Sequence, residues 1–222
     1  MAEWDSVLFN RWEGDSKLQL SAKITHQDQK ETLIKSIMDA DVFIDFTKPA
    51  ATMNHLALCL EYNTKMVIGT TGFSNAEVKL IQESAKKLAI VLSPNMSIGI
   101  NLMFKLLSVA SHLLQNSADI AILDIHHKHK KDAPSGTALK MLEIISASQK
   151  SNNDNNIEIS SFRIGEVKGE HAVLFALPDE EIKINHIASD RRIFARGACE
   201  AAKWLVNQEA GLYDMQDVLG LR

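Results

Sequence analysis

The sequence predicts an α/β protein: a parallel sheet covered by helices on both faces, followed by a second α+β domain carrying a mixed sheet. Three observations predict it. Short apolar runs alternate with amphipathic helical stretches through the first half. Three strand-like runs follow one another after residue 156 with no helical pattern between them. A polar run at residues 150–156 marks the change.

Residues 18–25 alternate in hydropathy and predict a strand, and residues 31–38 a short helix. Residues 42–46, Val-Phe-Ile-Asp-Phe, form an apolar run of strand length. In residues 50–62, Met53, Leu56, Ala57 and Leu60 recur on one helical face. Residues 66–69 predict a strand, 75–88 a helix facing inward through Val78, Ile81 and Ala85, and 89–92 another strand. Residues 100–114 predict a long buried helix, 118–127 a strand and 135–148 a helix. Strands follow at 157–162, 172–176 and 182–188, the last two joined by a turn at 178–181. Residues 194–207 form a final helix with Ala198, Ala201, Ala202 and Leu205 on one side, returning to the first domain. The expected domains are residues 1–97 plus 191–222, and residues 98–190.

A chain of 222 residues is long enough to bury a sizeable core. Its net charge of −4 argues against a general nucleic-acid binder, so the basic run 128–131 is read locally. Two cysteines, Cys59 and Cys199, lie in apolar helical stretches and suggest no disulfide framework, which points to a reducing cytoplasm. No apolar run reaches membrane-spanning length. The acidic start lacks the basic region of a signal peptide.

In open parallel sheets, ligands sit beyond the carboxyl ends of the strands. Three of those ends are distinctive: Asp45-Phe-Thr47, Gly69-Thr-Thr-Gly-Phe73 and Ser93-Pro-Asn-Met-Ser-Ile-Gly99. Glycines admit backbone N–H groups close to a ligand, and small hydroxyls add hydrogen bonds. Each motif alone is more often just a turn. Three on successive strands make a nucleotide-type site, and with it a Rossmann-like sheet, as good a reading as turns.

The stretch DIHHKHKKDAPSGT, residues 124–137, carries the chemistry. It sets three imidazoles and three ammonium groups just before a helix start, where Pro134 is expected in the first turn. Ser135, Gly136 and Thr137 would then present N–H groups and hydroxyls at the positive end of the helix, a seat for a carboxylate or phosphate. If strand geometry continued, His127 and His129 would face one way and His126, Lys128 and Lys130 the other. Zinc held by His127 and His129 is opposed by the missing third ligand and the neighbouring ammoniums, so no metal is expected. A solvated basic turn is the plain alternative. Anion binding with proton transfer suits the composition better, because imidazole donates protons near neutral pH and a crowded lysine can share the task.

At these residues the sequence resembles the dihydrodipicolinate reductase family. The matching stretches are Asp41–Thr47, Val67–Phe73, Pro94–Asn101, His126–Leu139, Gly165–His171 and a C-terminal run from Arg196 to Leu219. The resemblance implies hydride transfer from NADH or NADPH to a cyclic imine bearing two carboxylates. It implies that His126 and Lys130 supply protons, and that His127, Ser135, Gly136 and Thr137 hold a substrate carboxylate. Thr47, Lys48, Gly69, Thr70, Thr71, Ser93, Pro94, Asn95 and Met96 would line the cofactor, with Arg191 reaching it from the returning segment. It implies a homotetramer joined through the second domain's sheet. The residue after the second strand that reads the adenosine ribose falls at Thr25-His26, which leaves NADH versus NADPH open.

The family begins with a strand and a glycine-rich phosphate loop before its first helix, and no such pattern precedes Trp4 here; the resemblance implies that the chain opens inside that helix, residues 4–12, with Trp4, Val7, Leu8 and Trp12 as its apolar stripe. The expectation is an N-terminally incomplete chain, with Met1 as a false start after that loop. A missing central strand predicts a sheet broken between residues 42–46 and 66–69. Without the loop the pyrophosphate would lose its seat. Two further readings therefore stand beside the reductase: a catalytically silent module that keeps the fold for binding or oligomerisation, and another oxidoreductase acting on a different small carboxylate.

Overall fold

The computed structural model describes residues 18–114, 117–148 and 157–222. The expected helix at 4–12 and the polar run at 150–156 lie outside them. The chain divides into two units, residues 1–98 with 192–222, and residues 99–191.

The first unit is built from α1 (Lys30–Met38), β1 (Val42–Asp45), α2 (Pro49–Tyr62), β2 (Lys65–Ile68), α3 (Asn75–Ala85) and β3 (Ala89–Leu92). Between it and the closing segment lie α4 (Ile98–Leu114), β4 (Asp119–His126), α5 (Gly136–Ser148), β5 (Glu158–Arg163), β6 (Glu170–Ala176) and β7 (Glu181–Ile187). Then α6 (Arg192–Leu205), β8 (Gly211–Tyr213) and α7 (Met215–Val218) complete the first unit.

Its sheet is parallel, in the order β1-β2-β3-β8. Successive strand side chains point to opposite faces, and here both faces are buried. Met66, Ile68 and Ile90 pack with Ile37, Leu56, Cys59, Ile81 and Ala85 of α1, α2 and α3. Val67, Ala89 and Val91 pack with Ala198, Ala201, Ala202 and Leu205 of α6 and with Met215. The small residues of α6 let it lie close to the loop after β3. A Cβ on Gly197 would overlap the Met96 carbonyl oxygen, so only glycine fits there. The capping box at Ser74, in which its hydroxyl accepts from Glu77 N–H and Glu77 returns to the Ser74 backbone, fixes the start of α3.

Two expectations fail in this unit. Val42 to Asp45 pair in register with Lys65 to Ile68, so the sheet is continuous where a break was expected. Residues 18–25 form no strand. Alternation makes a segment compatible with a sheet, but a strand exists only where a neighbour completes its ladder. No described strand pairs with them, and the outer edge of β1 likewise has no partner among the described residues.

The second unit carries a mixed sheet, β5-β4-β6-β7, in which β4 and β5 are parallel and the other pairs antiparallel. One face is covered by α4 and α5: Ile100, Met103, Phe104, Leu107, Ala138, Met141 and Ile145 pack on Ile122, Val173 and Phe175. The register places Phe162, Ile125, Glu170 and Ile187 in one row on the opposite face, with Leu123 and Ala172 in the next. Phe162 and Ile187 on that face are exposed.

Candidate functional site

In the second unit, period-two alternation sends Asp124 and His126 of β4 to the helix-covered face, beyond the apolar Ile122. The same register brings Ser161 and Arg163 of β5 and His171 of β6 alongside them. Asp124 is fully buried. Its Oδ2 accepts from the Ser135 N–H at 2.9 Å, the Ser161 hydroxyl at 3.2 Å and Arg163 Nη2 at 3.0 Å. Its Oδ1 lies 2.9 Å from His126 Nδ1 and 3.4 Å from His171 Nε2. The 2.9 Å contact is an ion-pair approach rather than an aligned hydrogen bond, since neither atom has a hydrogen-bond partner. Burial by itself would raise the Asp124 carboxyl. The contacts with His126 and His171 and the Ser135 groups outweigh it and hold the carboxyl well below the usual carboxylate range.

Strand geometry ends at His126, so the expected alternation through Lys130 does not occur. The chain turns instead, with Lys130 N–H donating to the His127 carbonyl and Lys128 N–H to the Gly165 carbonyl. The His127 and His129 rings stand 6.3 Å apart. Lost hydration and the Arg191 charge push His127 below the ordinary imidazole value. The Lys130 ammonium pairs with Asp132 at 2.8 Å and is about three-quarters covered. Arg163 also donates to the Asp132 carbonyl at 2.6 Å, which ties this turn to β5.

Pro134 precedes the helix through a cis peptide bond rather than occupying its first turn. Ser135 sits where the cap belongs: its hydroxyl accepts from Ala138 N–H at 3.2 Å and also meets His171 Nε2 at 3.2 Å. Its N–H and hydroxyl are thus engaged inward. Gly136 is exposed at the helix tip, with open space where a side chain would be. Thr137 beside it is half-buried.

The cofactor candidates gather at the carboxyl ends of β1, β2 and β3, and are ordered by a second buried carboxylate. Asp45 accepts from Thr47 N–H at 2.7 Å and contacts His55 Nδ1 at 2.9 Å. Burial raises its carboxyl; His55 and Thr47 outweigh that and leave it below its ordinary value. Thr70, Thr52 and Thr47 hydroxyls form a chain beside it. Gly69 N–H donates to the Asp45 carbonyl, and a Cβ on Gly69 would fall within the Phe46 ring. Thr71 and Gly72 are exposed, and Gly72 has φ of 87° with open space beside it. After β3, the Ser93 hydroxyl donates to the Asn95 carbonyl and Asn95 Oδ1 accepts from Ser97 N–H. Pro94 is exposed, whereas the Met96 side chain is a core group. Lys48 is exposed at the start of α2. These short loops of glycine and hydroxyl residues at parallel strand ends fit a dinucleotide.

So His126, His127, Lys130, Ser135, Gly136, Thr137 and Arg191 belong to the second unit, and the remaining candidates to the first. Sequence reasoning missed Asp124, Arg163, His171, Asp45 and His55 as a framework. The available signal was a carboxylate two residues before a histidine in an apolar strand, which alternation places on one face.

Residues 99–219 match the family model described as dihydrodipicolinate reductase, C-terminus, and residues 10–96 that described as dihydrodipicolinate reductase, N-terminus. The chain is 44% identical over 205 residues to the 4-hydroxy-tetrahydrodipicolinate reductase of Nitrosomonas europaea, covering 85% of this chain and 76% of the relative. It is 46% identical over 203 residues to that of Nitrosomonas eutropha, covering 84% and 76%. It also superposes on the dipicolinate-bound dihydrodipicolinate reductase of Paenisporosarcina sp. TG-14 with a TM-score of 0.80 at 26% identity, over 96% of this chain and 93% of that one.

Proposed function

We propose, because the chain belongs to the dihydrodipicolinate reductase family, that it reduces 4-hydroxy-tetrahydrodipicolinate to tetrahydrodipicolinate with NADH or NADPH, in lysine and diaminopimelate biosynthesis. The 4-hydroxyl leaves as water, and the nicotinamide supplies the hydride to the conjugated cyclic imine that results. The observation that carries the reading is the gathering of His126, His127 and Lys130 on the turn that leads into the exposed tip of α5. A dianionic ring suits that turn: its carboxylate meets Gly136 and Thr137 at the positive helix end, with Ser135 as the buried cap and His127 alongside. His126 and Lys130 are the proton donors, the first an imidazole fixed at a strand end and the second an ammonium steadied by Asp132.

Thr47, Lys48, Gly69, Thr70, Thr71 and the backbone from Ser93 through Met96 hold the cofactor, and the charge of Arg191 offers a further contact. Residues 1–97 with 191–222 serve as the dinucleotide domain, and residues 98–190 bind substrate and carry the subunit contacts. The exposed Phe162 and Ile187, in one row with Ile125 and Glu170 on the sheet face that no described helix covers, support a subunit contact there, in keeping with a homotetramer. The cytoplasm is the compartment assigned, in keeping with two unpaired cysteines. No described helix is long and apolar enough to cross a membrane. A silent module is not favoured, since the relatives aligned over most of the chain are reductases.

The test mixes the protein with freshly generated substrate and either nicotinamide cofactor and follows loss of nicotinamide absorbance. Turnover is expected. Binding of pyridine-2,6-dicarboxylate without turnover under any condition would favour the silent module, and turnover of an unrelated carboxylate alone would favour a different oxidoreductase.

A further inference from the structure

Asp124 has no part in the chemistry assigned above, yet five polar groups from four segments converge on its carboxylate. Its oxygens divide between two tasks. Oδ2 is anchored by Ser135, Ser161 and Arg163. Oδ1 is left facing His126 Nδ1 at 2.9 Å. A ring lone pair held 2.9 Å from a carboxylate oxygen would be repelled whatever its exact direction, so the neutral imidazole carries its proton on Nδ1. Nε2 then points away from the anion. It faces Gly169, where an added Cβ would stand 3.3 Å from Nε2 and 3.6 Å from Cδ2.

We propose that Asp124 is a positioning residue for His126: anchored by Arg163, Ser135 and Ser161, it holds the imidazole with Nδ1 inward and leaves Nε2 to exchange the proton, in space that Gly169 keeps open. The inference rests on the assignment of His126 as a proton donor. Asp124, His126 and His171 have ligand atoms within 4.8 Å of one another and could geometrically surround a cation. The guanidinium of Arg163 on the same carboxylate opposes that use.

The first arm of the test needs no ligand. Nitrogen-15 spectra of the full chain, with His126 assigned by its loss in His126→Gln, report which ring nitrogen is protonated. The neutral ring is expected as the Nδ1–H tautomer, moving toward Nε2–H in Asp124→Asn. An Nε2–H tautomer in the wild type, or an unchanged ring in a folded Asp124→Asn, overturns the proposal. So does stoichiometric zinc whose removal by chelator shifts the His126 signals.

The second arm is kinetic. Asp124→Asn is expected to lower kcat by about 100-fold with substrate KM within about threefold, and Asp124→Glu to recover about tenfold. Gly169→Ala leaves the carboxylate in place and is expected to lower kcat by about tenfold. A raised KM at unchanged kcat in Asp124→Asn overturns the proposal. Should that variant fail to fold, the wild-type tautomer and Gly169→Ala decide, and wild-type kcat in Gly169→Ala overturns it. An inert wild type that keeps the Asp124-dependent tautomer supports the positioning and refutes the reductase reading instead.

Discussion

Replacing Arg163 with methionine tests how the second unit tolerates its buried carboxylate. The Arg163 side chain is 16% exposed and Asp124 fully covered, with Nη2 and Oδ2 at 3.0 Å. At an effective dielectric of about 20, that separation corresponds to an attraction of about 5.5 kcal/mol, much of it offset by the desolvation of both ions. Removing one partner is worse than removing both, because the remaining charge stays buried. Arg163→Met also strands the Asp132 and Phe162 carbonyls to which the guanidinium donates. Methionine keeps most of the apolar packing, so the expected loss is about 3–4 kcal/mol, at the level of a broken buried pair. Urea unfolding followed by circular dichroism measures it. The double variant Asp124→Asn/Arg163→Met should lose about 2 kcal/mol less than the two single losses combined. A loss under about 1 kcal/mol for Arg163→Met, or additivity within about 0.5 kcal/mol, would refute the reasoning.

Three other outcomes follow from the same geometry. Gly197→Ala sets a methyl against the Met96 carbonyl, a backbone atom that no rotamer change can move, and should cost about 1–3 kcal/mol in urea unfolding. The Asp124 carboxyl is held below its ordinary value in the folded chain and regains a value near 4 on unfolding, so its stabilisation is complete above about pH 5 and lost as the pH falls. The acid limb of a stability profile should therefore be shallower in Asp124→Asn than in the wild type, and parallel limbs would contradict this. Burial, with a smaller contribution from the Asp45 charge, pushes the Cys59 thiol up to about 12, so alkylation should require unfolding; rapid labelling in native buffer would count against the packing around α2.

The first unit's sheet was readable because its strands are buried on both faces and its helices are amphipathic. Both properties are local. The sheet's order was not readable: the pairing of Val42–Asp45 with Lys65–Ile68 depends on a neighbour rather than on either segment's own pattern. The false strand at residues 18–25 makes the same point from the other side. β8 escaped notice because three residues, Gly211–Tyr213, hold too little pattern to distinguish a strand from a turn.

At the site, the residues that carry chemical character were visible, since DIHHKHKKDAPSGT concentrates them in one stretch. The groups that fix their orientation were not. Arg163 and His171 reach Asp124 from 39 and 47 positions along the chain, through a sheet register that no local pattern encodes. Ser135 shows why position and role diverge: it stands in the anion-seat motif, yet its polar groups face Asp124, His171 and the first turn of α5.

The central claim is that His126 protonates a dicarboxylate ring as a nicotinamide reduces it. Single-turnover oxidation of NADH or NADPH, with 4-hydroxy-tetrahydrodipicolinate saturating, tests that claim most directly when wild type and His126→Ala are compared. A rate constant lower by about 100- to 10,000-fold in the variant, with pyridine-2,6-dicarboxylate affinity retained, is the predicted result. Equal rate constants in the two proteins would contradict it.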